Sequence, residues 1–487
     1  MSDLPEQVQV RMAKLAKLQE EGRDPFRHTR YDRTNLAAEI EENFADLEGK
    51  AVKICGRMMR KNEVGKLCFA DLVDVSGKVQ VVARADAISE EAFEGFKDLD
   101  LGDIIGVDGE VFITRRGQIS VRIEQWTLLS KSLRPMPEKW HGLQNVETRY
   151  RQRYADLLAS PDARDRLVKR SAMVSAGRKY LDDRGFLEVE TPVLQPLYGG
   201  AAALPFETHH NALDIDLYLR IAPELYLKRL VVGNLERVYE VARCFRNEGI
   251  SPRHNPEFTQ IEAYCAYANY EDVMGLVEGQ ICAMAEAVNG SLKFVRNEVE
   301  IDLTPPWDRV PLLGGVKEAT GIAFDELETD EDAQKACAGV KEMGHVEGLT
   351  WAQLLDRAFD QFIKYRTDQP TFVTDYPVPM SPLAKRCEAD QTLAQRFEPV
   401  IAREELGNAF SELNDPLDQR ARFEEQVEQR QAGDEEAHPL DEDFIRALEY
   451  GMPPTGGWGI GLDRLLMVLT DADTLRETIY FPLLRPE

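Results

Sequence analysis

Between residues 51 and 129, short runs of β-branched, aromatic and apolar residues alternate with turns. The runs are VKICGRMM, KLCFADLVD, KVQVVAR, DIIGVDGEVFIT and ISVRIEQWTLL, and the turns among them include NEVGK, VSGK and RRGQ. Short segments of this composition and spacing are typical of strands in a small barrel. They predict a five-stranded barrel of the OB type, a fold that binds single-stranded nucleic acid through aromatic and basic side chains.

The remaining pattern mixes helices with separate strands. An amphipathic helix is predicted over residues 4–22, and a second begins at Ser160-Pro161-Asp162 and ends before Gly185, where the strand GFLEVETPVL follows. Further predictions are helices at 270–288 and 351–366, a peripheral helical insertion at 325–347, and a strand in TFVTDYPVPMSPLAKR. Two prolines mark residues 130–150 as a linker, which places a domain boundary near residue 140.

A hairpin with a long loop is predicted where the strands VYEVARCF and EFTQIEAYCAY flank RNEGISPRHNP. Alternation places Phe258, Glu262 and Tyr264 on one face of the second strand, where they can line one pocket. The alternative interpretation is a solvated hairpin with scattered charge. The residues of the loop suited to holding a polyphosphate and a purine are Arg246, Glu248, Arg253, His254 and Asn255.

Three further stretches carry candidate chemistry. Gly199 and Gly200 allow a ligand to approach the backbone closely, and Glu224 lies in the first turn of a predicted helix. A first-turn glutamate is alternatively only a partner of the helix dipole. In residues 396–416, alternation puts Asn408, Phe410 and Glu412 on one face. GWGIGLDR offers a helix N-terminus with Arg464, a good polyphosphate site, and its glycine spacing does not match a dinucleotide fingerprint.

Composition limits the classes of protein to consider. The chain has 487 residues, enough for two or three domains, and a net charge of −27. Residues 1–150 carry only −3 of this charge, so the acidity is concentrated in residues 151–487. The negative net charge does not exclude phosphate binding, because that binding depends on local charged patches. We expect no membrane segment and no signal peptide. The seven cysteines lack metal-binding spacing, which favours a reducing cytoplasm and argues against structural zinc.

Several of these stretches resemble the class II aminoacyl-tRNA synthetases. FRNEGISPRHNPEF resembles motif 2 of that family in its lysyl form, and GWGIGLDR with the apolar helix after it resembles motif 3. The helix, strand and proline at 160–192 resemble motif 1, which builds the family's dimer interface. The segment GRMM…KLCFADLVD…GKVQVV resembles the anticodon-binding barrel shared by lysyl, aspartyl and asparaginyl members.

The resemblance covers nearly the whole chain and implies an α+β fold in two domains. Residues 1–140 would form an N-terminal helix and an OB-fold β-barrel, and residues 141–487 a catalytic antiparallel sheet flanked by helices. The implied reaction activates L-lysine with ATP to lysyl-adenylate and transfers it to the 3′ end of tRNA(Lys). The implied protein is a cytoplasmic homodimer that uses Mg²⁺ and contacts no membrane.

The resemblance also assigns roles to residues of this chain. Lysine would be bound by Gly200, Glu224, Glu262, Tyr264, Asn408, Phe410 and Glu412. ATP would be bound by Arg246, Glu248, His254, Asn255, Phe258, Glu405, Gly461 and Arg464, and Arg246 and Arg464 would be catalytic. Mg²⁺ would be held by Glu398 and Glu405. The anticodon would be read by Phe69, stacked on the central uridine, with Arg57 and Gln80 beside it; alternatively, Phe69 is a core residue of its strand.

The chain departs from the family pattern at three positions. Leu204 stands where the family usually has arginine, and Arg403-Glu404-Glu405 replaces a usual Gly-Arg-Glu. Three alternative functions remain open at this point. They are a lysine-activating ligase that modifies proteins, an aspartyl or asparaginyl specificity, and a catalytically inactive paralogue that regulates or binds nucleic acid. The acidic amino-acid pocket opposes the second, and retention of Arg246, Glu405 and Arg464 opposes the third.

Overall fold

The described chain divides into two compact units. The computed structural model describes residues 5–136, 143, 145–431 and 437–486. The first unit comprises residues 1–145 and 154–159, and the second comprises residues 146–153 and 160–487. The boundary predicted near residue 140 lies outside the described residues and stays a prediction.

Five strands close into a barrel in the first unit, as the alternating pattern predicts. The strands are β1 Ala51–Val64, β2 Leu67–Val73, β3 Lys78–Arg84, β4 Ile104–Ile113 and β5 Ile119–Ser130. Because β1 pairs with both β2 and β4, the order β1-β2-β3-β5-β4 closes on itself. Alternate side chains, among them Ile54, Leu72 and Val107, are buried in the barrel core.

Within residues 5–136, the described part of the chain that carries the barrel, four α-helices accompany the strands. They are α1 Glu6–Glu20, α2 Ala37–Glu42, α3 Phe44–Leu47 and α4 Glu90–Lys97. The predicted amphipathic helix at 4–22 is confirmed as α1. The sequence analysis did not predict α4, because its apolar face is only one turn long. Phe93 and Phe96 nevertheless bury that face in the barrel core, and Phe96 meets Trp126 edge to face with ring centroids 5.8 Å apart.

The second unit contains a large, mainly antiparallel sheet. Its strands run in the order β14-β15-β16-β18-β19-β11-β10-β6, with β17 paired to β16, and β7, β8, β9 and the pair β12–β13 form two small sheets. The bounds are β6 Leu187–Glu188, β7 Leu194–Gln195, β8 Phe206–His210, β9 Ile215–Leu219, β10 Arg237–Phe245, β11 Glu257–Ala266, β12 Lys293–Arg296, β13 Val299–Asp302, β14 Asp308–Pro311, β15 Thr371–Pro377, β16 Leu393–Ile401, β17 Glu404–Glu405, β18 Gly407–Ser411 and β19 Thr455–Gly461. Among the described strands of this sheet, β14–β15 and β10–β6 are the parallel pairs.

Helices pack against both faces of this sheet. The helices described from residue 146 onward are α5 Val146–Arg151, α6 Arg153–Ala159, α7 Pro161–Asp182, α8 Glu224–Val232, α9 Tyr270–Asn289, α10 Leu312–Thr320, α11 Asp330–Cys337, α12 Trp351–Ala358, α13 Pro416–Gln431, α14 Glu442–Glu449 and α15 Leu462–Leu469. On one face, Met173 of α7, Met284 of α9 and Leu466 of α15 pack in one buried cluster with Ile261 and Trp458 of the central strands. The opposite face of β11, β18 and β19 carries polar side chains together with apolar ones that pack against α8 and α14.

Most predicted elements of the second unit are confirmed, including the hairpin β10–β11 and the start of α7, where Ser160 Oγ accepts the N–H of Ala163 at 3.3 Å. The strand predicted in GFLEVETPVL is wrong beyond the two residues of β6. The Thr191 N–H donates to the Glu240 carboxylate at 3.2 Å, and Pro192 has no N–H to give to a ladder.

Two helical predictions need correction in detail. The helix predicted at 351–366 is regular only to Ala358, and continues as a π-helical turn over Phe359–Ile363 and a 3₁₀ turn over Lys364–Arg366. The insertion at 325–347 is helical only in part and is not merely peripheral. Cys337 and Met343 of this segment are buried in a cluster that includes Val373 of the main sheet.

Candidate active site

A cavity of about 330 Å³ lies on the face of the large sheet opposite α7, α9 and α15. The structure brings together around it every residue that the resemblance assigned to lysine, ATP or Mg²⁺. They are Gly200, Glu224, Arg246, Glu248, His254, Asn255, Phe258, Glu262, Tyr264, Glu398, Glu405, Asn408, Phe410, Glu412, Gly461 and Arg464. Their individual roles stay predictions.

Strand alternation explains how β11 supplies so much of this wall. Phe258, Glu262 and Tyr264 line the cavity, whereas Ile261 and Ala263 between them pack into the core beneath the helices. The predicted common face is therefore confirmed. Gln260, which the sequence analysis passed over, shares the face and donates to the Glu262 carboxylate.

The cationic end of the cavity is built on the loop between β10 and β11. The backbone N–H of Arg246 donates to the Pro256 carbonyl at 2.8 Å, and its guanidinium carbon lies 5.1 Å from the ring centroid of Phe258. Nε of Arg246 and Oδ1 of Asn255 are buried and have no hydrogen-bond partner among the described residues. A half-buried guanidinium with a free Nε and a buried acceptor with free bonding capacity fit an anionic ligand that also donates hydrogen bonds.

Arg464 extends this cationic end from the opposite side. Gly461 precedes α15, and Arg464 on the first turn donates to the Glu405 carbonyl. The carboxylate of Asp463 accepts the Thr259 N–H at 2.8 Å and contacts the Arg170 guanidinium, so it fixes α15 against β11 and α7. The sequence analysis missed Asp463 because a first-turn carboxylate has an ordinary interpretation as a helix-dipole partner.

The three departures from the family pattern now have positions. Glu404 is buried and pairs with Arg253 of the loop, with Nε and Oε1 2.5 Å apart, while Arg403 turns outward and pairs with Asp368 at 2.7 Å. Leu204 does not line the cavity, and its carbonyl accepts the Asn247 N–H at 2.8 Å. Glu404 therefore joins the loop to β17, and neither Leu204 nor Arg403 lines the cavity.

The other end of the cavity is acidic. Glu224, Glu262 and Glu412 are all buried, and the hydroxyl of Tyr264 donates to Glu262 at 3.2 Å. Burial, reinforced by Glu224, raises the pKa of Glu262 to about 8. Burial also raises the pKa of Glu412 well above its ordinary value, although a neighbouring lysine opposes this shift. Three carboxylates held away from water create a strong demand for cations.

Two glycines make room for these carboxylates. A Cβ on Gly457 would stand 2.0 Å from Oε1 of Glu412 and 2.6 Å from the ring of Tyr264. Gly200 has φ +87°, and a Cβ there would stand 2.9 Å from Cβ of Glu224. Larger residues at either position would displace a wall of the acidic end.

The sequence analysis missed Lys228 and Arg396. Lys228 follows Glu224 by four residues on α8, a spacing that usually marks a surface ion pair, yet its side chain is fully buried. Arg396 shares a face of β16 with Glu398, and this alternation could have identified it. Its guanidinium donates to Asn408 Oδ1 at 2.9 Å and to Glu398 Oε1 at 2.6 Å, so it orients both side chains.

The expected metal ligands meet beside Arg396. Burial, followed by repulsion from Glu405, raises the pKa of Glu398 to about 7 despite the guanidinium of Arg396. The hydroxyl of Tyr376 also donates to Glu398 at 2.7 Å. Within the described residues no three His, Cys, Asp or Glu side chains form a metal-binding group. Two mutually repelling carboxylates fit a divalent cation that takes its other ligands from phosphate and water.

The expected anticodon residues lie on the barrel. Phe69 is half-buried on the outer face of β2, whereas Cys68 and Ala70 beside it are buried inside, so the alternative interpretation of Phe69 as a core residue is wrong. Across the β2–β3 ladder, Gln80 faces Asp71, which follows Phe69 by two residues on β2. Arg57 on β1 lies opposite Val73, which follows Phe69 by four residues on β2. The Arg57 guanidinium donates to the Gly102 carbonyl at 2.7 Å.

In the part of the chain that the structure describes, no helix is both long and apolar enough to cross a bilayer.

Comparison with known proteins adds family information to this geometry. Residues 145–485 match the family described as class II tRNA synthetases (D, K and N), and residues 52–129 match the OB-fold nucleic acid binding domain. A lysine–tRNA ligase of Syntrophomonas wolfei is 53% identical over 486 residues, covering 99% of this chain and 98% of the relative. Lysine–tRNA ligases of Clostridium perfringens and Thermoanaerobacter pseudethanolicus are each 50% identical, over 99% and 100% of this chain and 97% of each relative.

Proposed function

The chain belongs to the class II tRNA synthetases of the D, K and N group, and from this premise we propose that it is a lysine–tRNA ligase. The observation that carries the choice of lysine is the acidic end of the cavity, where Glu224, Glu262 and Glu412 are buried together. An aspartate or asparagine side chain would bring no second cation to these carboxylates, whereas lysine brings an ammonium group at each end.

In the first step, a carboxylate oxygen of lysine attacks the α-phosphorus of ATP. A new P–O bond forms, the bond to the bridging oxygen of the β-phosphate breaks, and lysyl-adenylate and pyrophosphate result. No side-chain nucleophile is needed, so this chain acts by alignment and by neutralising charge. Glu224 would bind the α-ammonium and Glu412 the ε-ammonium, while Asn408, held by Arg396, would meet the lysine carboxylate.

ATP would occupy the cationic end. Arg246 would neutralise the α-phosphate where negative charge develops, and Arg464 would bind the terminal phosphate. The purine would stack on Phe258 beside Arg246, with Asn255 Oδ1 as a buried acceptor for its amino group. When bound at Glu398 and Glu405, Mg²⁺ would supply charge neutralisation on the polyphosphate.

In the second step, a hydroxyl of the terminal ribose of tRNA(Lys) attacks the lysyl carbonyl carbon, and AMP leaves. The barrel would have no part in activation but offers Phe69, half-buried on the outer face of β2, as a stacking surface for a base.

We propose a homodimer in the cytoplasm. Self-association is supported by the motif 1 resemblance and by the exposed apolar side chains of Leu187, Val193 and Leu194. The cytoplasm is supported by the seven cysteines, because all of them are unpaired in the structure and thus suit a reducing compartment. Sedimentation equilibrium should give twice the mass of one chain.

The decisive experiment is ATP–pyrophosphate exchange with each of the twenty amino acids, followed by charging of tRNA(Lys). We expect exchange that depends on lysine and transfer of labelled lysine to tRNA. Exchange with aspartate or asparagine would refute the specificity, and no exchange with any amino acid would favour an inactive paralogue. Lysine activation without tRNA charging would favour a ligase that modifies proteins.

Phe69→Ala tests the barrel in the full chain. Loss of one stacked base should weaken tRNA(Lys) binding by about 1–3 kcal/mol, while lysine-dependent pyrophosphate exchange stays unchanged. Phe26→Ala is the matched control, because Phe26 is an exposed phenylalanine of the first unit. Affinities are compared at one ionic strength, since phosphate contacts depend on salt. Equal tRNA affinity of Phe69→Ala and the unsubstituted protein would contradict the anticodon role.

Lysine binding should release protons at neutral pH. With a pKa of about 8 in the empty cavity, Glu262 is mainly protonated at pH 7, and an ammonium ligand favours its ionised form. Lysine affinity should therefore rise with pH up to about 8, because a smaller fraction of Glu262 then has to give up a proton to the bound ligand. Calorimetric titration at pH 7 in buffers of different ionisation enthalpy measures the release, and Glu262→Gln should reduce it. A binding enthalpy independent of the buffer would contradict this expectation.

A further inference from the structure

One buried cation at the acidic end has no role in the mechanism above. Lys228 lies one helical turn after Glu224 on α8, and its side chain is fully buried. Its Nζ lies 2.6 Å from Oε1 of Glu224 and also contacts Oε2 of Glu412. A single ammonium group therefore bridges the two carboxylates that the proposed function assigns to opposite ends of the substrate.

We propose that Lys228 is a positioning residue that fixes the spacing and the charge of these two carboxylates and so makes the pocket selective for a diamino acid of one length. The inference rests on the proposed function and extends it, because Lys228 itself does not line the cavity. It can affect the substrate only through neighbours that do line the cavity, above all Glu224 and Glu412.

The charges at this end match the substrate only when Lys228 is counted. When lysine is bound and its ammonium groups have displaced the protons, the ionised Glu224, Glu262 and Glu412 and the ammonium of Lys228 leave two negative charges. Lysine brings two ammonium groups, so the occupied pocket has no unpaired charge apart from the substrate carboxylate, which faces Asn408. Without Lys228, a third buried negative charge would remain and would have to bind a proton or stay unpaired, which is unfavourable.

The position of Lys228 is itself restrained. Its Nζ lies 5.3 Å from the ring centroid of Phe410 and 6.0 Å from that of Phe444, so aromatic rings on β18 and α14 confine the ammonium group. A cation held in this way draws both carboxylates toward one point. The distance between the two substrate ammonium sites is then set by the protein before any ligand enters.

The ionisable groups around the pair support a charged Lys228. Burial alone would lower the pKa of Lys228, but the carboxylates of Glu224 and Glu412 outweigh it and raise the pKa above its usual value. Burial lowers the pKa of His438 to about 4, so this neighbour is neutral at pH 7. The other titratable or charged groups facing the pair are Glu262 and Tyr264 on β11 and Arg396 on β16.

The test compares Lys228→Met, which removes the charge, with Lys228→Arg, which keeps it on a broader group. Lys335→Met is the matched control, because Lys335 is an exposed helical lysine of the same unit. Pyrophosphate exchange is measured with L-lysine and with ornithine, its homologue one methylene shorter. For Lys228→Met we expect the KM for lysine to rise at least about tenfold, with the KM for ATP changed less than about twofold, because ATP occupies the other end.

The pH profile separates this role from a merely structural one. Removing the cation raises the pKa values of Glu224 and Glu412 further, so the acidic limb of kcat/KM for lysine should move to higher pH in Lys228→Met. Lys228→Arg should keep the limb in place but change the preference for lysine over ornithine, because the broader group alters the carboxylate spacing. Lys335→Met should match the unsubstituted protein in every measurement.

Three results would overturn the proposal. The first is Lys228→Met with unchanged KM and pH profile. The second is a parallel loss of lysine and ATP binding with a lowered Tm, which would indicate a structural role. The third applies if Lys228→Met does not fold. It is an unchanged preference of Lys228→Arg for lysine over ornithine. Should the unsubstituted protein fail to activate lysine, the proposed function fails instead, whatever the variants do.

Discussion

Arg246→Ala is expected to reduce the rate of lysyl-adenylate formation about a hundredfold to a thousandfold. This is the usual loss of rate when one preorganised charge-stabilising group is removed. The guanidinium is held over Phe258, and its buried Nε has no partner among the described residues, so it is available to the α-phosphate. Because negative charge increases there during attack, the loss should appear in kcat. Single-turnover adenylate formation under saturating ATP and lysine measures it directly.

Two variants of the same hairpin provide the comparison for Arg246→Ala. Arg243→Ala removes an exposed arginine of β10 and should leave the rate unchanged. Phe258→Ala should mainly raise the KM for ATP, because a stacking surface contributes equally to the ground state and the transition state. A loss in kcat alone for Phe258→Ala, or a nearly normal rate for Arg246→Ala, would show that these roles are assigned incorrectly.

Glu412→Gln is expected to lower kcat/KM for lysine by at least about a hundredfold, since breaking a buried ion pair by removing one partner costs about 3–5 kcal/mol. Glu412 is almost fully buried, and its Oε1 has no hydrogen-bond partner within the described structure. The substrate ε-ammonium would supply that partner. Steady-state pyrophosphate exchange over a range of lysine concentrations provides the measurement.

Glu286→Gln, an exposed glutamate on α9, is the control for Glu412→Gln and should behave like the unsubstituted protein. A change of less than about threefold in Glu412→Gln would show that this carboxylate does not bind the substrate, because a threefold change corresponds to well under 1 kcal/mol. The KM for ATP should stay nearly constant, since ATP binds at the cationic end.

Local patterns were sufficient to predict much of this molecule. Short apolar runs separated by turns identified the barrel strands. Alternation with period 2 placed Phe258, Glu262 and Tyr264 on one face of β11, because side chains on a strand must alternate. Ser160 and Pro161 marked the start of α7, since a side-chain cap and a missing N–H act within one turn. The short helix α4 was missed because its two phenylalanines make too brief a pattern.

The resemblance to the class II synthetases identified the residues that line one cavity. Local patterns could not have predicted this, because residues as distant in the sequence as Gly200 and Arg464 belong to the same site. The resemblance did not identify Lys228 or Arg396. An i,i+4 Glu–Lys pair has the same sequence pattern whether the helix face is exposed or buried, and only the packing of Phe410 and Phe444 around Lys228 distinguishes the two cases.

The sequence by itself therefore determined the elements and the chemistry of their faces, because strand alternation and helix caps are short-range effects. Only the tertiary structure decided which charges meet. Glu404 binds Arg253 across 151 residues, Arg396 binds Asn408 from a neighbouring strand, and Phe69 turns away from the barrel core. These outcomes depend on burial and on long-range pairing, where desolvation makes each charge require a partner that no sequence interval specifies.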